Sequence, residues 1–181
     1  MSLKTYDNII LLKKSAGLVE ISQALGFGQS LFSEDIVVIR TENKKSLLRE
    51  SLFGKKNRKL VIYFPCSEEM FRFALERTPV DIVMGAEMIH PKDSVHYLRS
   101  GIDQVLASIA ADKGKIIGFS FSEILNARYP QRLLARMKMN LKICEKYKVK
   151  IFFGNFSVLR EEIRSKKDLM VFKLMLEADG K

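Results

Sequence analysis

The residue types best suited to chemistry sit between Val80 and Gly101, VDIVMGAEMIHPKDSVHYLRSG, a stretch that holds both histidines of the chain, His90 and His96. Glu87, His90, Asp93 and His96 are the one grouping that resembles a metal-ligand set, because imidazole nitrogens and carboxylate oxygens are common cation donors. Hydrolytic metal sites usually need three or more protein ligands, and no HxH or HExxH pattern occurs to supply them. Loop capping and hydrogen bonding compete for the same residues. Glu87 and Glu123 are a second candidate, since carboxylates at strand ends can work as an acid/base pair. Ser120 and Ser122 alternate with Phe119 and Phe121 and lack a GxSxG elbow, so strand alternation accounts for them.

The elements that must position these residues follow from apolar patterning. A short apolar run at Asn8 to Leu12 is followed by a helix capped by Ser15 and running to about Leu25. Gly26 and Gly28 then mark a turn, because this G-F-G follows a helix and lacks the third glycine of a dinucleotide fingerprint. DIVVIR (Asp35 to Arg40) reads as a buried strand of branched side chains. A helix from about Asn43 to Phe53 leads into GKKNRK, an acid-free loop that could hold phosphates or stay solvated. LVIYF (Leu60 to Phe64) is a strand ended by Pro65. Ser67, Glu68 and Glu69 start a helix whose Met70, Phe71, Ala74 and Leu75 form a core stripe. VDIVM is a strand, and a helix from about Gly101 to Ala111 puts Ile102, Val105, Leu106 and Ile109 on one face. IIGFSF is a strand, SEILNAR a short segment, Pro130 to Tyr147 a helix, KVKIFFGN a strand and Lys167 to Ala178 a last helix.

Strands alternating with helices through short connections imply an α/β fold with a parallel sheet and right-handed crossovers. No repeat or linker divides the chain, so residues 1–181 read as one domain. About six strands are countable, short of the eight of a full barrel. A TIM-barrel-like fold, incomplete or trimmed, is the first expectation, and a doubly wound open sheet the second.

Composition narrows the function classes. With 31 Lys and Arg against 21 Asp and Glu, the chain carries a formal charge of +10, which favours polyanionic partners over acid-seeking ones. Cys66 and Cys144 form no CxxC, which points to neither a zinc site nor a disulfide framework and suits a reducing, cytoplasmic setting. No apolar run reaches the roughly 20 residues of a spanning helix, and MSLKTYDNII lacks the apolar segment of a signal peptide. Within the helix from Pro130, Leu133, Leu134, Met137, Leu141, Cys144 and Tyr147 gather on one side, and Arg132, Arg136, Lys138, Lys142 and Lys146 on the other. Arg128 to Lys150 contains eight basic residues and one acid, Glu145. Met139 and Ile143 fall in the basic sector, a mixture that suits a ribonucleoprotein or protein interface.

Several motifs in one order carry a family resemblance: GID-x-VLA (Gly101 to Ala107), IGFSF (Ile117 to Phe121), EKYKV (Glu145 to Val149) and a late RSKKDL segment. Over about Leu60 to Glu177 the sequence resembles the archaeal ribonuclease P protein component 3 family, whose fold is TIM-barrel-like and related to the PHP phosphoesterases. The N-terminal third matches only in its alternation of strands and helices. The resemblance implies a protein subunit of ribonuclease P, in which RNA is the catalyst and precursor tRNA loses its 5′ leader. It implies no catalytic or metal-binding residue in this chain and no cofactor bound by the protein, Mg²⁺ being used by the RNA. The implied partners are the RNase P RNA, a small ferredoxin-like RNase P protein, the other RNase P proteins and precursor tRNA in the assembled particle. In the matching segments Lys92, Arg99, Arg128, Arg132, Arg136 and Lys138 are the candidate contacts to RNA or partner, with Arg160 and Arg164 beside RSKKDL. Family members continue beyond their last matching helix further than this sequence does, which leaves barrel closure open. Two alternatives stand beside this reading: a stand-alone metal-assisted phosphoesterase using Glu87, His90 and Asp93, and a subunit that touches mainly its protein partner.

Overall fold

In the computed structural model, which describes residues 6–178, short parallel strands alternate with helices. β1 (Asn8–Ile9) leads through α1 (Ala16–Ala24) to β2 (Ser30–Leu31), β3 (Ile36–Ile39), α2 (Lys44–Lys56), β4 (Leu60–Tyr63), α3 (Glu68–Arg77) and β5 (Ile82–Met84). Then come α4 (Gln104–Asp112), β6 (Ile116–Ser120), α5 (Phe121–Leu125), α6 (Pro130–Lys146), β7 (Lys150–Gly154) and α7 (Lys166–Glu177). Helix starts are fixed by side-chain oxygens: Ser15, Asn43, Ser67, Asp103, Ser120 and Ser165 each accept a backbone N–H of the first turn that would otherwise lack a partner.

The main sheet has the order β3-β4-β5-β6-β7, every pair parallel, with Ile62 opposite Ile82 and Ile82 opposite Ile116. Period-two alternation sends β4 both ways. Val61 and Tyr63 pack among helix residues such as Leu47, Phe71 and Met137, while Leu60, Ile62 and Phe64 face Ile9, Leu31, Met84 and Phe156. Both faces are therefore apolar, which explains why the strands read as unbroken hydrophobic runs. Gly118 lies where the inner side is tightest: a Cβ there would stand 2.7 Å from Ile82 Cγ2 and Met84 Cγ.

The inner cluster contains strand and loop residues and none from the α-helices. This overturns the doubly wound alternative, which needs helices on both faces. β1 instead folds against the end of β7, where the Phe156 N–H donates to Ile9 O at 2.8 Å and the Leu11 N–H to Ser157 O at 2.9 Å. Asn155, fully buried, ties this corner by donating from Nδ2 to Asn8 Oδ1 at 3.2 Å and accepting the Arg164 N–H at 2.8 Å. β1 and β2 pair with each other, but no ladder joins β2 to β3 among the described residues. Parallel neighbours need a crossover of about a dozen residues, whereas β2 runs into β3 through a single 3₁₀ turn at Ser33–Asp35. The result is a curled, TIM-barrel-like sheet and not a closed barrel.

Several expectations change. α2 continues to Lys56, and Lys55 Nζ pairs with the Asp81 carboxylate, so the first half of the basic stretch is helical and the stretch is not acid-free in space. Val105 is exposed and Ala107 and Ala110 take its place on the buried face of α4. Ser120 caps α5 and Ser122 lies inside that helix, so strand alternation does not account for the pair. Cys66 is exposed, Cys144 is buried, and both are free. No described helix is long and apolar enough to cross a membrane; the signal-peptide expectation concerns a stretch whose first five residues lie outside those described.

Candidate functional site

The C-terminal ends of the strands open onto a cavity of about 400 Å³. In parallel α/β folds this rim is where loops and strand ends converge. Arg40 follows β3, Phe64 follows β4, Glu87 follows β5, and Glu123 and Asn126 stand on and just beyond α5. Phe156, from the segment after β7, closes the floor.

Glu87 and Glu123 both line this cavity, as the strand-end reading anticipated. Glu87 is buried, and its Oε2 has no hydrogen-bond partner. Burial pushes its carboxyl up to about 7, with the charge of Glu123 adding to the effect and Asn140 and Arg136 opposing it. Burial also raises the Glu123 carboxyl, while Arg40 opposes it from 3.9 Å. The Arg40 guanidinium lies 3.7 Å from the centre of the Phe64 ring. At the outer lip the Arg128 and Arg132 guanidinium carbons stand 5.3 Å and 5.0 Å from the Tyr129 ring centre. Aromatic, cationic and carboxylate groups thus share one small opening.

The proposed metal grouping does not assemble. His90 Nε2 donates to Glu68 Oε1 at 2.8 Å, and Asp93 turns to α6. Among the described residues no three His, Cys, Asp or Glu side chains stand close enough to share an ion.

Arg136 corrects the helical-face expectation. Its side chain is only 3% exposed, because position 136 lies about 60° around the helix from Leu133 and so falls on the flank of the buried sector. Its guanidinium donates from Nη2 to Asp93 Oδ1 at 2.6 Å and from Nη1 to Glu87 O at 2.8 Å and His90 O at 2.7 Å. It is a clamp on the loop after β5 and is not exposed for contact with phosphate. The Arg99 N–H and the Arg136 guanidinium together hold Asp93 below the usual carboxylate range. Met139 and Ile143, odd in a basic sector, line a shallow cleft with Tyr97, Leu98 and Arg99 of the same loop.

The other anticipated cations disperse. Lys92, Arg99 and Arg128 are exposed, and Arg132 is half-buried at the cavity. Half-buried Lys138 donates to Ala178 O at the end of α7. Arg160 is exposed, whereas Arg164 donates from Nη1 to Glu161 O at 2.7 Å beside the Phe121 ring. Sequence reasoning missed Arg40, Asn126 and Glu162. Arg40 was recoverable as the residue leaving a strand toward the rim. Buried Glu162 accepts from Ser122 Oγ at 2.5 Å and Asn126 Nδ2 at 2.6 Å, a junction invisible in a sequence where these residues lie 40 and 36 positions apart.

No protein-family model matches the chain. Ribonuclease P protein component 3 of Thermococcus kodakarensis is 31% identical over 138 residues, 75% of this chain and 58% of that protein. The protein of the same name from Methanosarcina acetivorans is 32% identical over 133 residues, 71% of this chain and 52% of the relative. The chain is a homologue of ribonuclease P protein component 3. It spans about half the length of the component 3 proteins that it matches. In fold it is similar to a chain of the cryo-EM structure of archaeal ribonuclease P with mature tRNA, with a TM-score of 0.68 and 23% identity over 94% of this chain and 74% of that one. An amidohydrolase crystal structure shares the architecture more distantly, with a TM-score of 0.54 and 11% identity over 90% of this chain and 43% of that one. The component 3 homology agrees with the motifs from Gly101 to Val149, and the structure gives two of them physical content. Gly101 passes against Ala86 and Gly118 against Ile82 and Met84, both too closely for a side chain.

Proposed function

We propose that the chain acts as a protein subunit of ribonuclease P, supporting the catalytic RNA as it removes the 5′ leader of precursor tRNA in the cytoplasm. The observation that carries this reading is the 31% identity to a component 3 protein across three quarters of the chain. Its partners are then the RNase P RNA, a small ferredoxin-like subunit, the other RNase P proteins and, in the assembled particle, precursor tRNA. Lys92, Arg99, Arg128 and Arg132 supply phosphate contacts, with Arg160 as a further cation on the segment after β7. Arg136 serves this surface by holding the loop that carries Lys92 and Arg99. Mg²⁺ belongs to the RNA in this scheme, and the protein contributes charge neutralisation and shape.

The test is reconstitution of precursor-tRNA cleavage from the cognate RNA and remaining subunits, with and without this chain. Leader removal at limiting Mg²⁺ should rise when the chain is added. Equal rates with and without it would refute the role.

A further inference from the structure

The cavity at the strand ends has a chemistry that phosphate neutralisation does not use. Its floor is apolar, built partly from Leu11, Phe64 and Phe156. Beside that floor stands the carboxyl group of Glu123, whose side chain is 21% exposed and lies 3.9 Å from the Arg40 guanidinium. A partly desolvated carboxylate favours a ligand that brings N–H groups to both of its oxygens. Arg40 contributes a plane: one face of its guanidinium covers Phe64 at 3.7 Å, and its side chain remains 61% exposed. Arginine planes and aromatic rings are the surfaces on which unstacked bases rest. The lip carries Arg128 and Arg132, one on each side of Tyr129 at the start of α6. The volume of about 400 Å³ lies within the range that encloses a small organic ligand.

We propose that this cavity takes one unpaired guanine nucleotide, its base lying on Arg40, its base-pairing edge on the two oxygens of the Glu123 carboxylate, and its phosphate on Arg128 and Arg132. Guanine is selected because it alone among the four bases presents two adjacent donors, N1–H and the N2 amine, to a pair of acceptor oxygens. Adenine and cytosine place an acceptor beside the amine, and uracil flanks its single N–H with carbonyls. The base must be unpaired, because pairing would consume the edge that the Glu123 carboxylate reads. The assignment of RNA as the source of the guanine rests on the ribonuclease P role proposed above.

Equilibrium titration of the full chain with GMP, IMP, AMP, CMP, UMP and inorganic phosphate tests the site. GMP should bind about tenfold more tightly than AMP, CMP or UMP, the discrimination expected of a bidentate edge contact. IMP, which lacks the N2 amine, should lose most of that advantage. Glu123→Gln should bring GMP to within about threefold of AMP, and Arg132→Ala should weaken every nucleotide alike while leaving their ranking. A circular-dichroism melt of each variant establishes that it is folded, and the nucleotide ranking on wild-type chain is decisive without either variant. Equal affinity for all four nucleotides, GMP no better than inorganic phosphate, or no binding would overturn the proposal. A short RNA with an unpaired guanosine should compete with GMP, and one with adenosine in its place should not; failure of the guanosine RNA overturns RNA as the source. Precursor-tRNA cleavage that depends on the chain while GMP fails to bind would sink the cavity assignment and leave the subunit role standing. Selective GMP binding without dependence of cleavage on the chain would do the reverse.

Discussion

Arg136 spends its planar fork on one carboxylate and two carbonyls, all on the segment from Glu87 to Asp93. Removing it leaves Asp93 without its ion-pair partner and two carbonyl groups short of a donor, and losing one partner of a buried pair costs about 3 kcal/mol or more. Arg136→Ala should therefore lower the urea midpoint strongly. Arg136→Lys should rescue little, because an ammonium cannot reproduce the fork. Arg132→Ala, on the half-exposed lip, should stay within about 0.5 kcal/mol of the parent. Glu87 makes a second prediction at this scale. Its folded-state carboxyl titrates near 7 instead of the ordinary 4.5. The folded chain thus holds this proton more tightly than the unfolded chain, so the associated stability is complete below pH 4.5 and is lost as pH rises toward 7. The loss should be on the order of 3 kcal/mol, and Glu87→Gln, neutral throughout, should abolish it. Denaturation midpoints at pH 5 and 8 for parent and variant check this. Parallel pH responses would mean that Glu87 is ionised in the fold.

The element that turns these residues into a site is the long connection from β5 to α4. It leaves the sheet at Gly85, is gripped by Arg136 at Glu87, His90 and Asp93, and returns past Ala86 at Gly101. Gly101 has φ of +89°, and a Cβ there would stand 1.8 Å from Ala86 O. Gly101→Ala therefore combines left-handed strain with a backbone clash that cannot be relieved by a rotamer change. It should cost more than about 2 kcal/mol and make the 89–103 segment the first point of cleavage in limited proteolysis. An unchanged digestion pattern would show that the loop does not depend on this crossing. Most elements were legible in the sequence, because β4, α3 and α6 announce themselves through apolar runs, Ser67 and Pro130. The site was half legible. Glu87 and Glu123 were placed at strand ends by counting, but Arg136 was misread because it sits on the edge of an amphipathic face and its partner Asp93 lies 43 positions away. The pattern of a helix shows which side is apolar and does not reveal a distant carboxylate waiting on its flank.

At the scale of the molecule, the formal charge of +10 is spread over many exposed Lys and Arg side chains, and it sets how the chain should meet RNA. Each phosphate neutralised releases condensed counterions, so log affinity should fall linearly with log salt at about 0.7 to 0.9 per contact. The structure divides the candidate cations into those able to contribute and one that is not. Arg128 and Arg132 stand at the cavity lip, whereas Arg136 is enclosed with Asp93. Replacing Arg128 and Arg132 together with alanine should reduce the slope for the cognate RNA by about 1.4 to 1.8. Arg136→Lys, if measured where it remains folded, should leave the slope unchanged, because that guanidinium displaces no counterion in the parent. Filter-binding or anisotropy titrations over a salt series distinguish these outcomes. A double variant with the parent slope would remove the lip from the RNA interface, and a parent slope near zero would assign the basic surface to protein contacts instead.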